Sequence, residues 1–144
     1  MNNLEDSIQH ILAIDYGTKR IGLALSDPLM IFSYTFKTIL NDPNLWANLD
    51  SIVKEKQVVK IILGIPYQEN GQLSSNAPGI LKFKQALSLR YKIEIIEWDE
   101  RYTSERAREN ILQTVPGKKK RKDKGLVDQN SAQIMLQEYL NLLK

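Results

Sequence analysis

Apolar residues along this chain collect in short runs, separated by longer polar stretches with helical spacing. HILAIDYG (His10 to Gly17) and RIGLALSD (Arg20 to Asp27) are apolar runs joined by the tight connection Tyr16-Gly17-Thr18-Lys19, which predicts a hairpin. IFSYTFKTI (Ile31 to Ile39) alternates, is rich in aromatic and β-branched residues, and predicts a third strand, with Pro28 in the turn before it. Three strands so closely spaced imply an antiparallel meander.

The pattern then changes. Asn41-Asp42-Pro43 suits a helix cap followed by an early proline, opening a helix from about Asn44 to Glu55. VVKIILG (Val58 to Gly64) is a buried strand ending at a glycine. Ile80 to Tyr91 has helical apolar spacing, and KIEIIEW (Lys92 to Trp98) alternates as a strand. Thr103-Ser104-Glu105 opens a helix to about Gln113, which Pro116-Gly117 terminates. A last helix covers about Val127 to Leu142, with Ile134, Leu136, Tyr139 and Leu140 as buried candidates. A meander followed by strand–helix units predicts an α/β fold with a mixed sheet and helices on its faces. The 144 residues fit a single domain, 1–144, without internal repeats.

Composition narrows the chemistry. Hydrophobic residues make up 42% and charged residues 26%, which is ordinary globular usage. With no cysteine there is neither a disulfide framework nor a thiolate site, and the single histidine, His10, excludes a multi-histidine metal site. His10 precedes the first strand and is read as structural. No run approaches the roughly 18 to 20 apolar residues of a membrane span. The polar, acidic start MNNLEDSIQH is unlike a signal peptide, so a cytoplasmic location is expected. The formal charge of +3 is unevenly spread: in KKKRKDK (Lys118 to Lys124) six of seven residues are cationic. Lys118, Lys119, Lys120, Arg121, Lys122 and Lys124 suit phosphate contacts, and equally a solvated loop.

Candidate catalytic groups are acidic. In α/β sheets, function collects at the carboxyl ends of the parallel strands. Asp15 ends the first predicted strand, Glu97, Asp99 and Glu100 lie at the end of the fifth, and Asp128 stands at the start of the last helix. Clustered carboxylates repel and need compensation, which a divalent cation provides; oxygen-only ligands point to Mg²⁺ or Mn²⁺. Two such ions about 4 Å apart activate a water and stabilise a leaving oxygen in phosphodiester cleavage. Each acid also has a plain structural reading. Asp15 suits a turn cap, Asp128 a helix cap, and the acids of EWDER a solvated strand end paired with Arg101. Trp98 is read as core rather than as a base-stacking platform.

The stretches AIDYGTKRIGLALSD, GIPYQENG, DERYTSERA and KGLVDQNSAQIMLQEYL, in this order and spacing, resemble the YqgF family over nearly the whole chain. Those bacterial proteins are RNase H-like and are described both as Holliday junction resolvases and as nucleases for pre-16S rRNA. The resemblance implies an RNase H-like fold with five strands in the order 3-2-1-4-5. It places catalytic and metal-binding acids on Asp15, Glu100 and Asp128, and offers Asp99 as a further metal ligand, although adjacent strand residues face opposite ways. Glu97 has less claim. It leaves Lys19 and Arg20 as phosphate contacts or surface residues, Arg101 as a nucleic-acid contact or a group that orients the site, and Thr103 as an orienting group or a cap. Gly64 admits close backbone approach by a substrate, or serves a turn, and Gln133 interrupts an otherwise apolar helix face.

The expectation is therefore a Mg²⁺- or Mn²⁺-dependent nuclease processing the 5′ end of pre-16S rRNA in ribosome biogenesis, with the ribosomal particle as a partner and a monomer or weak homodimer as its state. Alternatives are a resolvase acting on four-way DNA and a non-catalytic RNA- or ribosome-binding module. Actin-like ATPases share the Asp-x-Gly-Thr turn, but they enclose nucleotide between two such domains.

Overall fold

The computed structural model describes residues 8–75, 78–100 and 124–143, with residues 124–129 described by their backbone. The strands are β1 (His10–Asp15), β2 (Arg20–Ser26), β3 (Ser33–Leu40), β4 (Val58–Ile65) and β5 (Glu94–Asp99). The helices are α1 (Leu45–Glu55), α2 (Ile80–Arg90) and α3 (Lys124–Leu142). They build one five-stranded sheet in the order β3-β2-β1-β4-β5. The first three strands form the antiparallel meander, and β1 pairs β4, and β4 pairs β5, in parallel. The expected order 3-2-1-4-5 is thus the observed one.

The central strands read as continuous apolar runs because both of their faces are covered. Leu12, Ile14, Ile61, Leu63 and Ile65 face α1 and α2, where Leu49, Ile52, Phe83 and Leu87 complete one core layer. Ile11, Ala13, Ala24 and Ile62 face the other way and pack with Ala132, Met135, Leu136, Tyr139 and Leu140 of α3. Ala13 and Ala24 are cross-strand partners, so small side chains make the floor on which α3 lies. The buried stripe of α3 includes Met135 rather than the expected Ile134, which is half-buried; the helix is rotated slightly from the phase read off the sequence. Gln133 does not spoil the helix face. Its carbonyl accepts from Ser33 Oγ at 2.8 Å and its Nε2 donates to the same oxygen at 3.0 Å, tying helix to sheet.

Several boundaries shift from expectation for local reasons. The expected strand at Ile31 begins at Ser33, because Asp27 organises the residues before it into a turn. Pro43 lies before α1 rather than in it: Asp42 Oδ1 accepts from the Asn44 N–H at 2.9 Å, forming a side-chain turn. β4 continues one residue past Gly64, whereas β5 begins and ends later than expected, at Glu94 and Asp99. α3 already includes Lys124, so the final lysine of the basic run belongs to the helix. The helix expected from Thr103 to Gln113, Arg101, and Lys118 to Lys122 lie outside the described residues. His10 has a structural task, since its Nδ1 donates to the Ser26 carbonyl at 2.6 Å from a buried position.

The Asp27 turn yields a stability prediction. Partial burial disfavours the charged form of Asp27, but hydrogen bonds from the Phe32, Ile31 and Leu29 N–H groups outweigh it and lower the carboxyl's pKa. A depressed folded-state pKa means that the stabilisation is present above the unfolded value and is lost as pH falls through the folded one. Asp27→Ala should therefore cost about 1–2 kcal/mol near neutrality, the scale of hydrogen bonds to a charged acceptor in an open turn. The gap between variant and parent in thermal melts should narrow when the melts are repeated near pH 3.

Candidate active site

The alternation of side chains along strands decides which acids can meet. On β1, Ile11 and Ala13 face α3, so Asp15 at the strand end faces the same way. On β4, Ile62 faces α3, and Gly64 follows on that side. On β5, Ile96 and Trp98 pack into the same layer, and Glu100 comes next, its N–H donating to the Ile65 carbonyl at 3.1 Å. Three adjacent strands thus deliver Asp15, Gly64 and Glu100 to one face of the sheet at its carboxyl rim. Gly22, the cross-strand partner of Asp15 on β2, flanks it on the other side.

Asp15 and Glu100 face each other at this rim, their carboxyl groups close enough for a shared hydrogen bond. Such a bond needs a proton on one of the two groups. Burial raises the pKa of Asp15 well above the ordinary carboxyl range, and the Glu100 hydrogen bond and negative charge raise it further. Asp15 keeps some surface exposure, whereas Glu100 is only 9% exposed. The space beside the pair is set by Gly64: a Cβ built there would lie against Glu100 Oε1 and only 2.6 and 2.7 Å from its Cδ and Cγ. What fills the space over this glycine is a side chain of the site itself, not the substrate backbone suggested by the sequence.

The turn that carries Asp15 is held from both sides. A Cβ at Gly17 would run into the Arg20 carbonyl, so only glycine fits this close return of the chain. Asn41 anchors the turn, donating from Nδ2 to the Gly17 carbonyl and from its N–H to the Lys19 carbonyl, each at 2.9 Å. Tyr16 faces the opposite layer, where its ring meets Phe83 at 4.6 Å, and Phe83 meets Trp46 at 5.5 Å. The end of β1 is thereby fixed to both α2 and α1.

The other sequence candidates separate. Asp99 pairs with Ile65 and Glu97 with Leu63, residues of the opposite core layer, so strand register puts both acids on the wrong face for Asp15. That removes Asp99 from the acid cluster. Glu97 instead binds Lys84 at 2.9 Å. Lys19 is exposed at the rim and Arg20 is half-buried. Trp98 packs edge-to-face with Tyr139 at 6.2 Å, in keeping with a core role.

Asp128 lies on the part of α3 described by its backbone, and its level can be reckoned from the helix–sheet tether. Gln133 sits beside Ser33, which pairs with Ser26 next to the strand position of Ile11. Gln137 reaches Ile31, farther from the rim, so α3 runs away from the acids. Asp128 therefore lies on the rim-ward end of α3, five residues before Gln133. Among the described residues no group of three metal-ligating side chains gathers.

The family profile described as "RuvX: Holliday junction resolvase" matches residues 9–142. The chain belongs to the RuvX family. A Bacteroides fragilis protein named "Putative pre-16S rRNA nuclease" is 39% identical over 134 residues, covering 92% of this chain and 96% of its own. A Porphyromonas gingivalis protein of the same name is 42% identical over 135 residues, covering 91% and 95%. Among solved structures, T. thermophilus RuvC in complex with a Holliday junction substrate superposes with a TM-score of 0.57 at 11% identity, covering 94% of this chain and 95% of that one. The Fowlpox virus resolvase, solved with junction DNA, gives a TM-score of 0.58 at 14% identity over 93% and 98%. At such identities the likeness concerns the fold, which is the RNase H-like one expected from the sequence.

The carboxyl pair sets up an opposition between stability and activity. A raised folded-state pKa means that the native chain holds a proton that the unfolded chain has released, so stability falls as pH rises through that window. Asp15→Asn removes the need to take up that proton on folding and lets the amide donate to Glu100. At pH 7–8 without divalent ions the variant should melt on the order of a few degrees above the parent. The difference should shrink in melts near pH 4.

Proposed function

We propose that this chain is a divalent-metal-dependent nuclease of the cytoplasm that processes the 5′ end of pre-16S rRNA in ribosome biogenesis, acting with the ribosomal particle. The observation that carries the reading is the Asp15–Glu100 carboxyl pair at the sheet rim of a RuvX-family chain. The rRNA substrate is supported by the name shared by relatives about 40% identical over nearly the whole chain. The pair suits a metal on its own chemistry: two oxygen-donor side chains are brought into contact where the fold leaves Asp15 reluctant to ionise, and a cation relieves that repulsion. Asp15, Glu100 and Asp128 would hold Mg²⁺ or Mn²⁺. When bound, the ion supplies a nucleophilic water and stabilises charge at the phosphate.

The chain's own residues have separate tasks. Asp15 is fixed by the Gly17 turn and by Tyr16, and Glu100 by the β5 ladder, so the acids keep their mutual placement as substrate arrives. Lys19 and Arg20 follow Asp15 into the hairpin, where they contact the nucleic-acid backbone. Arg101 and the basic run Lys118, Lys119, Lys120, Arg121, Lys122 and Lys124, just before Asp128 in the chain, act as further phosphate contacts. The family's description as a resolvase supports a second substrate, the four-way DNA junction.

The deciding experiment incubates end-labelled pre-16S rRNA fragments and an immobile four-way DNA junction with Mg²⁺ or Mn²⁺. RNA cuts that fall about 100- to 1,000-fold in Asp15→Asn, Glu100→Gln and Asp128→Asn are expected, the scale of losing a group that acts in the transition state. Symmetric junction cuts would move the substrate to DNA, and binding without cleavage of either would favour a non-catalytic module. Neutralising Lys118 to Lys122 should weaken RNA binding and flatten the slope of log affinity against log salt by about 0.7 per lost contact to a single strand. Filter binding at several salt concentrations measures this.

A further inference from the structure

The absence of a side chain at Gly64 is used by the site itself. Gly64 lies on β4 between β1, which carries Asp15, and β5, which leads to Glu100. The atoms nearest to a hypothetical Cβ are Glu100 Oε1, Cδ and Cγ, the last two at 2.6 and 2.7 Å. The Glu100 side chain therefore lies flat across the glycine on its way to Asp15. The backbone gives no other reason for a glycine here, because Gly64 is not among the residues with positive φ. It sits in a regular stretch of β4 paired with Trp98, where glycine weakens a strand. A strand position that tolerates any side chain conformationally, yet keeps none, indicates that the space is needed.

We propose that Gly64 is a positioning residue of the nuclease: the slot left by its missing side chain holds the Glu100 carboxylate against Asp15. The inference rests on Asp15 and Glu100 being the acids of cleavage. Alanine at this position is compatible with the strand backbone, because what it meets is the Glu100 side chain from Cγ to Oε1 rather than backbone. The Glu100 carboxylate has to leave the slot, and with it the contact to Asp15. The fold survives while the acid pair is opened.

Two measurements test this, one of which needs no activity. In metal-free thermal melts at pH 7–8, Asp15→Asn should raise the melting temperature of the parent and give little or no rise when introduced into Gly64→Ala. A cycle of these four chains reads the Asp15–Glu100 contact alone. An equal rise in both backgrounds would show that Gly64→Ala had not moved Glu100, and would overturn the proposal. In the cleavage assay, Gly64→Ala should lower kcat about 10- to 100-fold with KM for RNA unchanged, the scale of losing a group that orients a metal ligand. In a Glu100→Gln background the same alanine should cost nothing further; a full second loss would mean that Gly64 acts otherwise. Should the parent chain cleave neither nucleic acid, the nuclease reading fails, and the melting cycle still decides whether the slot holds Glu100.

Discussion

Two carboxyl groups pressed together are disfavoured by folding alone, yet this molecule is arranged around such a contact. Asp15 and Glu100 are 85 positions apart in the chain, and they meet because β1, β4 and β5 lie side by side in parallel with fixed register. Everything that fixes the ends of those strands serves the contact. Tyr16 ties the β1 end to Phe83 of α2, Asn41 clamps the Gly17 turn, and the Glu100 N–H extends the ladder to Ile65. The repulsion stays in the fold because the surrounding core is rigid. Leu12, Ile14, Leu63 and Ile65 are fully buried, each worth about 1.5–3 kcal/mol in removed apolar surface, so relaxation that separates the acids would disturb packing of larger value.

The two faces of the sheet divide the work. The layer formed with α1 and α2 is dense and aromatic toward the rim, with Tyr16, Phe83 and Trp46 in series, and it holds strand ends still. The layer under α3 is built on small residues, Ala13 and Ala24 against Ala132, so that the helix approaches the sheet closely. That approach is locked by the Gln133–Ser33 and Gln137–Ser33 hydrogen bonds. Side chains that give adhesion in one layer and room in the other produce a rim where acids converge on a single side.

The RNase H-like fold and the RuvX family membership frame this chemistry, and the local details make it specific. Asp99 and Glu100 are neighbours in sequence with opposite fates, since one shares a face with Ile65 of the α1–α2 layer and the other crosses Gly64 toward Asp15.

Much of this was legible in the chain alone. Period-two and period-3.6 patterns gave the five strands and three described helices in their correct order, since apolar periodicity is imposed locally by which face is buried. Asp15 stood out because an acid ends a buried strand, and the motifs around Glu100 and Asp128 carried the family resemblance. Boundaries drifted by one to three residues where a side chain ended an element, as Asp27 and Asp42 do. What only the tertiary structure decided were the long-range coincidences. They include the rotation of α3 that buries Met135 in place of Ile134, the register that sets Asp99 apart from Asp15, and the use of Gly64 as the slot for a side chain 36 residues away. Local sequence fixes which way a residue faces on its own strand. Which residues then share that face depends on neighbours that the chain acquires only on folding.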